Sequence, residues 1–135
     1  MNYVLDTNII TAILKDNENV KNKISQAILE GSEIYVNGIT YYEIKRGLLA
    51  INANTILLLF DQFCRKFPIL LFDAIEIFDE AAEIYAFLQK KRQPIGDDAD
   101  ILIASIVKLK DFTLVTDNVA HFQRIEGLRF ENWLR

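Results

Sequence analysis

Short apolar segments rich in β-branched and aromatic residues alternate along this chain with longer segments of helical periodicity. This alternation predicts an α/β fold, with a short, mainly parallel sheet flanked by helices on both faces. The predicted strands are Tyr3–Leu5, Glu33–Asn37, Ile69–Asp73 and Phe112–Thr116, with a short edge strand at Leu128–Phe130. The predicted helices begin at Thr7 and Thr40, span Glu18–Leu29, Asn54–Phe67 and Ala74–Gln93, and run from the acidic stretch after Gly96 to Lys110.

The length and composition indicate one soluble domain over residues 1–135. Hydrophobic residues make up 51% of the chain and charged residues 25%, which is ordinary for a globular protein. The single cysteine, Cys64, excludes an intrachain disulfide and suits a reducing cytoplasm. The first residues do not resemble a signal peptide, and charges interrupt every apolar segment well short of a membrane span. We therefore expect a cytoplasmic protein with no membrane partner.

Acidic residues stand where the predicted strands end and where the adjoining helices begin. Asp6 ends the first strand, Asp117 ends the fourth, and Glu43 starts the helix after the second. Asp98 and Asp100 start the helix that precedes the fourth strand. Because the carboxyl ends of parallel strands share one edge of the sheet, these acids are expected to face one crevice.

Each acid also has a local structural explanation. Asp6 could form an Asx turn, and Thr40–Glu43 has the spacing of a capping box. Asp98 could cap its helix, Asp100 could interact with the helix dipole, and Asp117 could be an N-cap. The coincidence of all these acids at one edge, where their charges repel each other, favours a shared divalent cation.

The donor types narrow the chemistry of this predicted site. Carboxylate oxygens suit Mg²⁺ or Mn²⁺, whereas the single histidine excludes a histidine-rich zinc site. We predict that this residue, His121, packs beside Phe122 rather than taking part in catalysis. An all-carboxylate metal site suits hydrolysis of phosphodiesters with one or two metal ions. The net charge of −4 does not exclude a nucleic acid, because without five site acids the remaining charges nearly balance.

Four blocks of sequence, in this order, resemble PIN-domain ribonucleases of the VapC toxin kind, from prokaryotic type II toxin–antitoxin modules. The blocks are Val4–Asn8, Thr40–Ile44 with Gly47, Pro94–Ala104, and Leu114–Asn118 followed by Phe122, Ile125, Gly127–Leu128 and Glu131–Trp133. The resemblance implies a PIN-like fold, endoribonuclease activity on an RNA substrate, dependence on Mg²⁺ or Mn²⁺, and neutralisation by a small cognate antitoxin.

The resemblance also implies roles for individual residues. The catalytic, metal-binding acids of the family fall on Asp6, Glu43, Asp100 and Asp117. The loop before the third acid is one residue longer here than in many relatives, which makes Asp98 a candidate extra ligand. Residues expected to orient these acids or a bound water are Thr7, Asn8 and Asn118.

Two other functions remain open from the sequence. One is an α/β phosphotransfer domain with Asp6 as the phosphoacceptor, which would normally need a lysine near the late strands. The other is a catalytically inactive interaction domain, although all four family acids are present. Hydrolysis of RNA that depends on a divalent metal separates the three hypotheses.

Several N-terminal helices carry more apolar residues than one core-facing stripe can bury. Ile9, Ile10, Ile13 and Leu14 precede the unbroken apolar run Ile56–Phe60. We expect the excess surface to form a homodimer or to bind an amphipathic helix of the antitoxin, as a toxin–antitoxin hetero-oligomer. The alternative is that the Ile56–Phe60 helix is sandwiched inside the monomer.

Overall fold

Five short strands form one sheet in the computed structural model, which describes residues 1–135. The strands are β1 (Asn2–Leu5), β2 (Glu33–Asn37), β3 (Ile69–Leu70), β4 (Thr113–Val115) and β5 (Arg129–Glu131). Their order in the sheet is β3-β2-β1-β4-β5, and every neighbouring pair is parallel. The predicted α/β class with a parallel sheet is confirmed.

Seven helices connect the strands and cover both faces of the sheet. They are α1 (Thr7–Leu14), α2 (Glu18–Leu29), α3 (Gly38–Ala50), α4 (Asn54–Lys66), α5 (Ile75–Lys90), α6 (Asp98–Leu109) and α7 (Val119–Phe122). Helices α1 to α4 pack on one face and α5 to α7 on the other. None of these helices has both the length and the apolar composition needed to cross a membrane.

Two hydrophobic cores lie on opposite faces of the sheet, and the central strands contribute to both. Val4 and Leu114 face α5 to α7, whereas Leu5 and Val115 face α1 to α4. All four side chains are fully buried, each contributing about 1.5–3 kcal/mol to the folded state. Because successive side chains along β1 and β4 point to opposite faces of the sheet, these two strands contact both helical layers and fix their positions relative to each other.

The order of the strands reverses at the centre of the sheet. The chain moves outward from β1 through β2 to β3, then returns to the other side of β1 for β4 and β5. The carboxyl ends of β1 and β4 thus flank a topological switch point, the position at which open α/β sheets bind ligands. Asp6 follows β1 and Asp117 lies just beyond β4, as the sequence predicts.

The helix caps differ from those predicted. Helix α3 starts two residues before Thr40, and the Asn37 side chain accepts a 3.0 Å hydrogen bond from the Thr40 N–H. The predicted capping box ending at Glu43 is therefore wrong, because Asn37 already satisfies this helix start. Asp97, not Asp98, caps α6 by accepting from the Ala99 N–H at 2.9 Å.

Other differences concern the ends of elements. Strand β3 ends at Leu70 instead of Asp73, and α5 ends at Lys90, just before Arg92 with its positive φ of 58°. Asn118, rather than Asp117, occupies the N-cap position of α7, a short helix absent from the sequence prediction.

Helix α4 buries Phe60 but leaves Ile56, Leu58 and Leu59 exposed. The alternative that this helix is sandwiched inside the monomer is wrong, because only one of its sides contacts the core. An exposed apolar surface remains on α4, as the unbroken apolar run predicts.

We predict that Asn37→Ala lowers the free energy of unfolding by about 1–2 kcal/mol, because the buried cap of α3 is lost. Glu43→Gln is the matched control on the same helix and should change this free energy by less than about 0.5 kcal/mol. Urea unfolding followed by circular dichroism measures both changes. Equal destabilisation by the two substitutions would contradict the assignment of the cap to Asn37.

Candidate metal centre

The carboxylate of Asp6 is the most deeply buried acid of the chain, with 3% of the residue exposed. Asp6 Oδ1 accepts a hydrogen bond from the Thr7 N–H at 2.8 Å. Asp6 Oδ2 accepts from Thr116 Oγ1 at 2.7 Å and from Asn8 Nδ2 at 3.3 Å. These donors come from the start of α1 and the end of β4, so both central strands fix the position of this carboxylate.

Glu43 joins the same group through the side chain of Thr7. The Thr7 hydroxyl donates to Glu43 Oε1 at 2.9 Å, across 36 positions of the chain. Thr7 Oγ1 also lies 3.2 Å from the hydroxyl of Thr40, which accepts from Asn37 Nδ2 at 3.0 Å. The residues that cap α3 thus also anchor the contact between α1 and Glu43.

Asp100 lies in the first turn of α6 and is 8% exposed. Its Oδ2 lies 2.7 Å from His121 Nδ1 and accepts a 3.1 Å hydrogen bond from Asn118 Nδ2. His121 does not pack in the core as predicted: Phe122 is the buried residue, and the imidazole contacts an acid of the candidate site. That His121 takes no part in catalysis stays a prediction. Spacing in the sequence gave no signal for this contact, which spans 21 positions.

Burial and mutual repulsion oppose ionisation in this cluster. Burial raises the pKa of Asp6 above its usual value, and the charges of Asp100 and Glu43 raise it further. Burial likewise raises the pKa of Asp100, and the charge of Asp97 adds to this increase. No lysine or arginine forms an ion pair with Asp6, Glu43 or Asp100.

Two further predicted residues are not part of this cluster. The carboxylate of Asp117 is turned toward the C-terminal segment: its Oδ1 accepts from Asn132 Nδ2 at 2.8 Å and lies 3.5 Å from Arg135 Nε. Its backbone N–H donates to Asn8 Oδ1 at 2.9 Å. Asp98 is exposed and lines a cavity with residues of α5, among them Tyr85.

Asp6, Glu43 and Asp100 fit a hard divalent cation by donor chemistry. All three offer oxygen, the donor that Mg²⁺ and Mn²⁺ prefer, and no lysine or arginine pairs with them; the basic side chain in contact with the cluster is His121, at Asp100. As the side chains stand, no three carboxylate, imidazole or thiol groups lie close enough together to share one ion. Two of the acids instead use their oxygens as acceptors for Thr116, Asn8, His121 and Asn118.

Comparisons with known proteins agree on one family and one fold. The PIN domain family matches residues 3–128. Ribonuclease VapC2 of Rickettsia felis is 32% identical over 98% of both chains, and the tRNA(fMet)-specific endonuclease VapC of Salmonella typhimurium is 28% identical over 98% of both. The VapBC2 structure from Rickettsia felis, bound to a promoter DNA fragment, superposes with a TM-score of 0.89 at 29% identity, covering 98% of this chain and 99% of that one.

We predict that Asp100→Asn stabilises the metal-free protein at neutral pH and removes stabilisation by Mn²⁺. Because the pKa of Asp100 is higher in the folded chain than in the unfolded chain, its ionised form destabilises the fold above that pKa. This destabilisation is lost as the pH falls through the pKa of the folded state. For the wild type, Mn²⁺ at a hundredfold excess over its dissociation constant should add about 2.7 kcal/mol.

Thermal unfolding with Mn²⁺ and with EDTA measures both effects. Asp98→Asn, two positions earlier on α6 and exposed, is the control and should behave as the wild type does. Equal stabilisation of wild type and Asp100→Asn by Mn²⁺ would contradict Asp100 as a ligand.

Proposed function

Because the chain belongs to the PIN-domain family, we propose that it is a metal-dependent endoribonuclease acting as the toxin of a type II toxin–antitoxin system. The observation that carries this proposal is the gathering of Asp6, Glu43 and Asp100 at the switch point of the sheet, without a lysine or arginine partner. Its substrate is RNA, its place of action is the cytoplasm, and a small cognate antitoxin neutralises it.

Asp6 and Asp100 are the proposed principal ligands of Mg²⁺ or Mn²⁺, and Glu43 is the proposed third ligand. A bound ion supplies Lewis-acid polarisation of a phosphoryl oxygen and makes water a stronger nucleophile at neutral pH. Asp117 extends the ligand set if its carboxylate releases Asn132 and turns toward the cluster. Asp98 is not included, because its exposed side chain borders α5.

Side chains around the acids hold them in position for this task. Thr116 and Asn8 donate to one oxygen of Asp6, while Thr7 orients Glu43. His121 and Asn118 lie on Oδ2 of Asp100 and leave Oδ1 free of protein donors. Such supporting contacts preserve the orientation of ligating carboxylates.

The phosphotransfer alternative finds no support at Asp6. That residue is almost fully buried, both carboxylate oxygens accept hydrogen bonds, and no lysine pairs with it. Substitution of these acids also distinguishes an active enzyme from an inactive interaction domain. In an active enzyme it abolishes RNA cleavage, whereas an interaction domain has no cleavage to lose.

We expect the purified chain to cleave single-stranded RNA with Mg²⁺ or Mn²⁺ and not with EDTA. Asp6→Asn should lower the cleavage rate by at least about a hundredfold, because a ligand charge is lost; the amide keeps the shape of the side chain and one of its two acceptor oxygens. Asp98→Asn serves as the control and should retain activity, and circular dichroism confirms that both variants fold. Cleavage by Asp6→Asn at the wild-type rate would contradict the proposed site.

The proposed antitoxin surface is a cavity of about 250 Å³ between α1, α3 and α4. Its lining is mainly apolar, includes Leu14, Leu48, Ile51 and Ile56, and reaches Glu43. An amphipathic segment seated there would cover this surface, and an arginine or lysine on it would reach the carboxylates and compete with metal. Leu58 and Leu59 of α4 remain exposed nearby and are the proposed surface of a homodimer.

We predict that Ile51→Asp abolishes co-purification with the product of the adjacent reading frame, because a charge enters the apolar cavity. Ile75→Asp is a matched control at similar exposure, 67% against 72% for Ile51, and lies at the start of α5. Affinity purification after co-expression measures capture, while light scattering of the chain alone measures the homodimer. Retention of the partner by Ile51→Asp and loss by Ile75→Asp would refute this surface.

A further inference from the structure

We infer that Tyr42 and Arg46 form a stacking shelf on which one base of the RNA substrate rests beside the acid cluster. The inference rests on the proposed ribonuclease function and adds to it a binding site for the substrate. The proposed shelf contacts a base of the RNA, whereas the acids of the cluster act on its phosphate.

The position of the shelf follows from the geometry of α3. Tyr42 directly precedes Glu43, and Arg46 stands three positions after it, so Glu43 and Arg46 are neighbours on the helix surface. Tyr42 and Arg46 are four positions apart and share one face. The shelf therefore borders Glu43, on the side of α3 away from the apolar cavity that contains Gly47 and Leu48.

The two side chains are already arranged for stacking. The guanidinium carbon of Arg46 lies over the Tyr42 ring, 5.0 Å from its centroid, in a cation–π arrangement. Tyr42 is nevertheless 59% exposed, so much of the aromatic surface remains open to a ligand. Arg46 forms no ion pair with a carboxylate, which leaves its charge available to RNA.

Tyr42 also differs from the other exposed aromatic residues in its location. Phe78, Tyr85 and Phe87 are all on α5, which packs on the opposite face of the sheet from α3. Tyr42 alone stands on a helix that supplies an acid to the candidate site. An exposed aromatic ring at this position has no role in either hydrophobic core.

This pairing matches the chemistry by which proteins hold unpaired nucleotides. Proteins bind single-stranded RNA by stacking its bases on aromatic rings and guanidinium planes. Every base can stack in this way, because each has a π-face. A local positive charge beside an acidic site also attracts the phosphate backbone toward a chain whose net charge is −4. The observations thus favour a nucleobase over an apolar protein segment, which would instead fit the cavity on the other side of Glu43.

The test uses the full chain and a short single-stranded RNA that contains 2-aminopurine, whose fluorescence is quenched on stacking. In EDTA, the wild type should bind this RNA and quench it. Tyr42→Ala should lose the quenching and weaken binding by about tenfold, whereas Tyr42→Phe should retain both. Tyr85→Ala, at 49% exposure on α5, is the control and should match the wild type.

Cleavage kinetics with Mg²⁺ give an independent measurement. Tyr42→Ala should raise KM by about tenfold with little change in kcat, because stacking of the base stabilises the bound substrate and the transition state equally. Arg46→Ala should also raise KM and reduce the dependence of RNA binding on salt.

The outcomes separate this inference from the function on which it depends. RNA cleavage by the wild type with unchanged KM and quenching in Tyr42→Ala overturns the shelf and leaves the ribonuclease function intact. Loss of antitoxin capture or of dimerisation in Tyr42→Ala, with unchanged RNA affinity, would show a protein contact and also overturn it. Absence of both RNA binding and cleavage in the wild type overturns both proposals.

Discussion

The burial of the Asp6 carboxylate is the constraint on which the arrangement of the site depends. A buried charge is costly unless hydrogen-bond donors surround it, and here they come from Thr7, Asn8 and Thr116. Asp6 and Thr116 directly follow neighbouring strands whose register pairs Leu5 with Val115. A shift of one residue between β1 and β4 would turn Thr116 to the other face, so the carboxylate and the sheet register stabilise each other.

At the starts of α3 and α6, capping and the candidate chemistry are carried by different polar residues. Asn37 caps α3 and leaves Glu43 available to Thr7, while Asp97 caps α6 and leaves Asp100 to His121 and Asn118. At the start of α1, by contrast, Asp6 is both the N-cap, through its Oδ1, and an acid of the cluster. Glu43 and Asp100 are held instead by side chains that orient them: Thr7 on Glu43, and His121 and Asn118 on Asp100.

The sequence predicted those elements whose bounds are set by residues close together along the chain. The bounds of α2 and β2 agree with their periodicity and flanking turns, and the parallel sheet brings Asp6, Glu43 and Asp100 to one edge. The contact of His121 with Asp100 was not predictable, because it depends on how α7 packs beside α6. The orientation of Asp117 similarly depends on Asn132, a residue of the C-terminal segment with no sequence signal for that contact.

The pairing of β1 with β4 has a consequence for when the site can form. Thr116 and Asp6 are 110 positions apart. Strand β4, one of the two strands that flank β1, is therefore missing until those residues have been synthesised. At elongation rates of about 5–20 residues per second, that interval is about 5–20 s. Throughout it, the Asp6 carboxylate lacks its donor from β4. Asp100, once synthesised, lacks His121 until a further 21 residues have been added. The contacts that position Asp6 and Asp100 can therefore be completed only after the chain has been synthesised past His121.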